Sequence, residues 1–255
     1  MPTVTLSSKI YKDGQLKLVE DYLKAALRGL SVKIEKVQAT SKNLIQITFS
    51  GEDERAALNY LENTIGICPT DINSIAKFKT VKGYIIDMDK SEDQLFLDVG
   101  LTAQSIVAKI PLRHLQAQLV DGRKMAFKKI VELYGFCENM PITAKITLIN
   151  GNCLEAMIAE IQLNQYGKWI KSLLDKLIVL GASQQEMTKA LRDTRCQNDV
   201  VGIEQLGFFE YVVTCKLGTD AVGLIPKIGK MLPNAVLTVF SPRKILGFLP
   251  HVVYQ

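Results

Sequence analysis

The sequence predicts an α+β fold of three modules, on three observations. Apolar residues alternate with period two in some stretches and recur at three- and four-residue spacing in others, so strands and helices are interleaved along the chain. At 255 residues the chain is longer than a single domain of roughly 100–200 residues requires. The strands and helices fall into three runs, which assign residues 1–76, 77–163 and 164–255 to separate modules.

The first module opens with an alternating stretch at 4–11, followed by Leu16, Val19, Leu23, Ala26, Leu27 and Leu30 at helical spacing. Val32/Ile34 and Ile45/Ile47/Phe49 alternate on either side of the polar turn Ser41-Lys-Asn43. Ala57, Tyr60, Leu61 and Ile65 mark a second helix that Gly66 ends. The order is βαββα. A last strand within 72–80 would complete a ferredoxin-like βαββαβ unit, a superfold that serves many functions.

The middle module begins with runs at 81–88 and 94–100 joined by the polar loop Asp89-Lys-Ser-Glu-Asp93, which reads as a hairpin. A third strand is expected around 105–110, then a mostly helical stretch to Tyr134. Two more strands, 142–149 and 154–163, meet at the turn Asn150-Gly-Asn152. Five strands with a helical insert after the third fit an OB-type barrel. Strand parity turns Val81, Ile85, Leu95, Leu97 and Val99 into that barrel, and Lys82, Tyr84, Phe96 and Asp98 outward.

The third module is expected to start with a helical hairpin. Tyr166, Trp169, Ile170, Leu173, Leu174 and Leu177 line the first helix, which stops at Gly181. Ser183 with Glu186 is a capping box that places the second helix at about 184–194. Strands at 199–206 and 209–216, a helix near 220–232 and a strand at 235–240 complete a split α/β unit.

Composition narrows the function classes. With 47% hydrophobic and 22% charged residues the chain has the apolar content for packed cores, which argues against disorder. It contains no apolar run near the roughly 18 residues of a membrane span, and Met1-Pro-Thr-Val-Thr-Leu is unlike a signal peptide, so a cytoplasmic location is expected. The five cysteines contain no Cys-x-x-Cys pair and support neither a disulfide framework nor a clustered zinc site. His114 and His251 lie in no nucleophile or metal motif, Glu204 and Glu210 fall on either side of a hairpin turn, and Cys215 shares a strand face with Tyr211 and Val213. No catalytic residue, cofactor or metal is therefore expected. The net charge of +5 is mild, but its distribution is uneven: residues 164–255 carry 11 Lys and Arg against 7 Asp and Glu, whereas residues 1–76 carry 9 of each.

Two stretches resemble known families. Val81-Lys-Gly-Tyr-Ile-Ile with Leu95-Phe-Leu-Asp-Val-Gly100 resembles the first two strands of the S1-type RNA-binding OB barrel. Where S1 barrels place a Gly-aromatic-x-His stretch, this chain has Thr102-Ala-Gln-Ser-Ile-Val. The motifs Asp199-Val-Val-Gly-Ile-Glu-Gln-Leu-Gly-Phe-Phe-Glu210 and Cys215-Lys-Leu-Gly-Thr-Asp-Ala-Val-Gly-Leu-Ile-Pro226 resemble an uncharacterised archaeal domain-of-unknown-function family, number 2110. That resemblance implies relatives without implying an activity.

Four candidate sites follow. Tyr84 and Phe96, with Lys82 and Lys79, combine stacking surface and positive charge on the outer barrel face, as single-stranded nucleic acid requires; the alternative is that a neighbouring module covers this face. Lys168, Lys171, Lys189, Arg192, Arg195, Arg243 and Lys244 are candidates for a partner-facing surface on the third module, where Arg192 and Arg195 with Arg243 and Lys244 are expected to form one phosphate-holding patch. The helix starting at Gln184 also allows a helix-turn-helix reading. Gly218-Thr219 before a helix could hold an anion, although Asp220 opposes one, and Thr219 reads as an N-cap. The function expected is non-catalytic binding of RNA or a ribonucleoprotein, such as the ribosome or transcription apparatus, in archaeal information processing. The alternatives are a protein–protein adaptor and a DNA-binding regulator.

Overall fold

A computed structural model describes residues 1–101 and 106–249. In the first module the expected alternations become β1 (Thr3–Lys9), α1 (Gln15–Ala26), β2 (Val32–Ala39), β3 (Leu44–Gly51) and α2 (Glu54–Thr64). The strands form an antiparallel sheet in the order β1-β3-β2. Val19 and Leu23 of α1 and Ala57 and Leu61 of α2 are buried with Ile45, Ile47 and Phe49 of β3, so one face of the sheet carries both helices. The strand expected within 72–80 is not formed. The free edge of β1 is met earlier, by a single antiparallel bridge between Leu6 and Ile67, and residues Ile72–Ser74 make a 3₁₀ turn held by the Asp71 side chain. The backbone bonds there, Ser7 N to the Gly66 carbonyl and Cys68 N to the Thr5 carbonyl, are too few for a strand.

The middle module is a closed five-stranded barrel of β4 (Thr80–Ile86), β5 (Gln94–Asp98), β6 (Ala108–Pro111), β7 (Pro141–Asn150) and β8 (Cys153–Ile158). Its order is β4-β5-β6-β8-β7, with β6 and β8 parallel and the other pairs antiparallel. Helices α3 (Leu112–Leu119) and α4 (Phe127–Tyr134) fill the connection after β6. Val81, Ile85, Leu95, Leu97 and Val99 all enter the core, as their parity requires. The third strand begins later than expected, and residues 102–105 lie outside the described ones. The last strand ends earlier than expected, because Glu160 already starts α5 (Glu160–Ser172).

The expected helical hairpin is overturned by a strand. Leu173 enters the left-handed region at φ 56° and ends α5, after which Lys176–Leu180 forms β9. This strand lies inside the antiparallel sheet β10-β11-β9-β12 and is buried on both faces, so its apolar run shows no alternation and fits a helix equally well by sequence. The other elements are α6 (Gln184–Asp193), β10 (Val200–Gln205), β11 (Glu210–Cys215), α7 (Ala221–Met231), β12 (Val236–Phe240) and α8 (Pro242–Phe248). The capping box of Ser183 and Glu186 is present, with both reciprocal bonds.

The two faces of this sheet have different partners. Leu177, Val179, Tyr211 and Val213 pack with Met187 and Ala190 of α6 and Leu224 and Ile228 of α7. Ile178, Leu180, Val212 and Phe240 join the barrel core through Tyr166, Trp169 and Ile170 of α5 and Ile245 of α8. Tyr134, Tyr166 and Phe240 lie with ring centroids 5.6–5.8 Å apart, so barrel and third module share one continuous aromatic core. Among the described residues no helix is long and apolar enough to cross a membrane.

Candidate nucleic-acid interface

The outward side chains of β4 meet different surroundings at its two ends. Tyr84 points out of the barrel, as expected, but the first module covers it: it is 1% exposed and packs with Leu44 and Cys68. Its hydroxyl accepts from the Lys9 backbone N–H at 3.1 Å and donates to the Ser7 carbonyl at 3.4 Å. Burial holds its phenol well above the ordinary range. The ring is therefore a module-to-module contact, and the stacking platform expected of it is not available. Phe96 pairs across from Ile86 and sits one diagonal from Tyr84; it is half-buried, with the Lys109 ammonium 6.0 Å from its ring centroid.

The exposed ring lies just before β4, at Phe78. This side chain is 59% exposed, and its backbone is left-handed at φ 69°, a costly conformation for a bulky residue. Hydrogen bonds from Phe78 N to the Ile146 carbonyl and from Ile146 N to the Lys79 carbonyl hold the turn on β7. The ammonium groups of Lys77 and Lys145 stand 5.0 and 5.6 Å from the ring centroid, within cation–π range. Parity of β4 could not reveal Phe78, because it belongs to a turn; the signal present was the Lys77-Phe-Lys79 triplet itself.

One residue on, from Lys79, a cleft follows β4 between the first module and the barrel. Its first part, about 410 Å³, is lined by exposed Lys79 and by Thr80, Ser7, Ser74, Glu62 and Lys82. A second part, about 310 Å³, lies beyond Lys82 and is bounded by the β10–β11 turn. Lys82 lines both, and its ammonium donates to the Leu206 carbonyl at 3.0 Å. Burial lowers its pKa, partly opposed by the Glu210 carboxyl.

Glu210 is fully buried where the three modules meet. It accepts from the Tyr11 hydroxyl at 2.9 Å and from the Phe209 N–H at 3.2 Å. Burial pushes its pKa up, against the lowering influence of Lys82 and Tyr11. Gly207 lies against it: a Cβ there would come within 2.1 Å of Glu210 Oε2, so the carboxyl would have to shift. Lys9, whose pKa burial also lowers, donates to Asn139 Oδ1 at 2.5 Å. Glu204, by contrast, is exposed and binds Gln165 and Trp169, so the two glutamates do not converge. Cys215 is core, with its thiol pushed up to about 11 by burial, and His114 lies beside Glu155 on α3, away from the cleft. His251 lies outside the described residues.

The basic residues of the third module do not form one patch. Lys189, Arg192 and Arg195 are exposed on or just after α6, whereas Arg243 and Lys244 are exposed on α8. These helices cover opposite faces of the four-stranded sheet, so the sheet separates the two groups. The helix-turn-helix geometry is also absent, because β9 and not a helix precedes α6. Asp220, not Thr219, caps α7: its carboxylate accepts from the Val222 N–H at 3.0 Å and occupies the helix end where an anion would bind.

The geometry defines an α+β protein in which two small α/β modules flank a barrel. Residues 3–70 match the DUF2110 N-terminal domain and residues 174–240 the DUF2110 C-terminal domain. The two matches stand in order, cover just over half of the chain, and place it in the DUF2110 family. No curated protein matches it. Among solved structures, a multidomain protein with nucleic acid binding domains from Streptococcus pneumoniae is 10% identical, with a TM-score of 0.22, over 69% of this chain and 57% of that one. A Thermus thermophilus protein is 13% identical, with a TM-score of 0.18, over 97% of this chain and 43% of that one. The chain thus spans little more than half the length of the first and less than half of the second, and similarities this low carry no weight for its fold or function.

Proposed function

We propose that the protein is a non-catalytic, single-stranded RNA-binding component of a ribonucleoprotein, in archaeal translation or transcription, with the polymer lying along the β4 cleft. The observation that carries this reading is Phe78: an exposed ring held by a left-handed backbone, with two ammonium groups over it. Base stacking on such a ring and phosphate attraction to the adjacent lysines are the two interactions that sequence-tolerant single-strand binding uses. Lys79 and Lys82 continue the positive lining, with Glu62 the opposing charge. The finer fold assignments belong to the same reading: the barrel order with parallel β6 and β8 supports an S1/OB type, and the βαββα order supports a ferredoxin-like first module. Fluorescence anisotropy of a labelled oligouridylate with the full chain tests the proposal. Saturable binding that Phe78→Ala weakens is expected, and no binding at low salt overturns it.

A protein–protein adaptor is the second reading. It is favoured by β10, an edge strand on which Val201 and Ile203 are 63% and 41% exposed. Co-purified protein that resists nuclease treatment, with no RNA bound, would select it.

A further inference from the structure

We infer that the cavity beyond Lys82, where the three modules meet, is a site for one nucleotide unit, with a phosphate on the Lys82 ammonium and a base against the Tyr22–Phe208 pair. The cavity, about 310 Å³, lies at the lower end of the range for small-molecule sites and at a junction of domains, where such sites concentrate. Each module supplies part of its wall: Ser8, Tyr22 and Thr64 from the first, Lys82 from the barrel, Gln205 and Phe208 from the third.

The chemistry of this wall is asymmetric. Lys82 is the only charged side chain among the described lining residues, and no carboxylate lines the cavity. Among the described residues its ammonium makes one hydrogen bond, to the Leu206 carbonyl, so two of its three donors can turn to a ligand. Glu210 stands behind Gly207, outside the lining. A cation so largely removed from water favours an anionic partner, because burial weakens its hydration and strengthens its attraction to opposite charge.

The aromatic side selects more than a phosphate. Tyr22 and Phe208 meet edge to face with centroids 5.0 Å apart, and Tyr22 is 42% exposed, so part of its ring is open to a planar group. Hydroxyls of Ser8 and Thr64 and the Gln205 amide supply donors and acceptors for a sugar or base edge. The site also continues the cleft, since Lys82 lines both parts. The proposal deepens the RNA reading but rests on it only if the nucleotide is the end of a strand.

The test is calorimetric titration of the full chain with adenosine 5′-monophosphate, uridine 5′-monophosphate, adenosine and inorganic phosphate. At least one monophosphate is expected to bind with Kd of about 1 mM or tighter, and about tenfold more tightly than adenosine or phosphate. Lys82→Met is expected to weaken it at least about tenfold, and Tyr22→Ala, at a partly exposed helix position, several-fold. Phe78→Ala is expected to leave mononucleotide affinity unchanged while weakening RNA, so the two proposals can fail separately. Competition by an oligonucleotide with a terminal phosphate assigns the site to strand ends; monophosphate binding without competition assigns it to the free nucleotide. No monophosphate binding to the folded chain, phosphate binding as tightly as the nucleotides, or affinity unchanged in folded Tyr22→Ala would overturn the inference.

Discussion

The hydroxyl of Tyr11, two residues after β1, donates a 2.9 Å hydrogen bond to Oε1 of Glu210, the first residue of β11 and fully buried. The same hydroxyl lies 3.3 Å from the Asn139 carbonyl, just before β7, so one phenol touches all three modules. Gln15 reaches the Gly181 carbonyl at 2.9 Å and Lys12 pairs with Glu186, which adds two further ties between first and third modules.

Tyr11→Phe is expected to destabilise the chain by about 1–3 kcal/mol, because it leaves a buried carboxyl short of a donor. Urea unfolding measures this. A midpoint equal to that of the unaltered chain would show that water replaces the phenol at no cost.

The raised pKa of Glu210 sets a sign for pH dependence. A carboxyl that burial raises binds its proton more tightly when folded, so its stabilising effect is complete below the ordinary carboxylate range and is lost as pH rises through the raised value. Lys9 and Lys82, whose pKa values burial lowers, act oppositely and in a more alkaline window, where stability rises with pH up to the ordinary lysine range. Glu210→Gln removes the first slope and leaves the second. Thermal unfolding should therefore show the variant gaining on the unaltered chain as pH rises from about 4 to 7; a constant difference over that interval would show that Glu210 does not titrate there.

Phe78→Ala is expected to cost about 1–3 kcal/mol of RNA affinity, the usual loss for one stacking ring. Tyr84→Phe is expected to leave RNA affinity unchanged and to lower stability by about 1 kcal/mol, through the lost hydroxyl contacts with Lys9 and Ser7. Unchanged RNA affinity in folded Phe78→Ala would take that ring out of the binding surface.

The salt dependence of RNA binding reports which lysines meet phosphate. Lys77→Gln and Lys145→Gln are each expected to reduce the slope of log K against log salt by about 0.7, the contribution of one phosphate contact on a single strand. An unaltered slope with reduced affinity would mean that these lysines hold the Phe78 ring and not the backbone.

Charge reversal of Arg192 and Arg195, and separately of Arg243 and Lys244, tests the two faces of the third-module sheet. Because α6 and α8 cover opposite faces, the two double variants are expected to add within about 0.5 kcal/mol in any RNA or ribosome co-sedimentation measurement. Strong non-additivity would require one ligand to wrap around the module.

Local chemistry accounts for what was legible beforehand. The capping box at Ser183, the hairpin parity of β4 and β5 and the βαββα order of the first module depend on residues close in sequence, and they appear in the structure as the pattern requires. The expected strand within 72–80 failed because residues 66–68 meet the β1 edge first and leave only a bridge. Phe78 was hidden because no pattern of period two or 3.6 describes a left-handed turn residue.

The sequence by itself determined the α+β class, most of the elements and the inward set of the barrel, because alternation and capping record which side of each element meets water. Tertiary structure alone decided that Tyr84 is covered while Phe78 is exposed, that Lys176–Leu180 is a central strand, and that Lys82, Tyr11 and Glu210 share one junction. These outcomes depend on which surfaces of distant segments bury one another, and a segment buried on both faces carries no local mark of its partners.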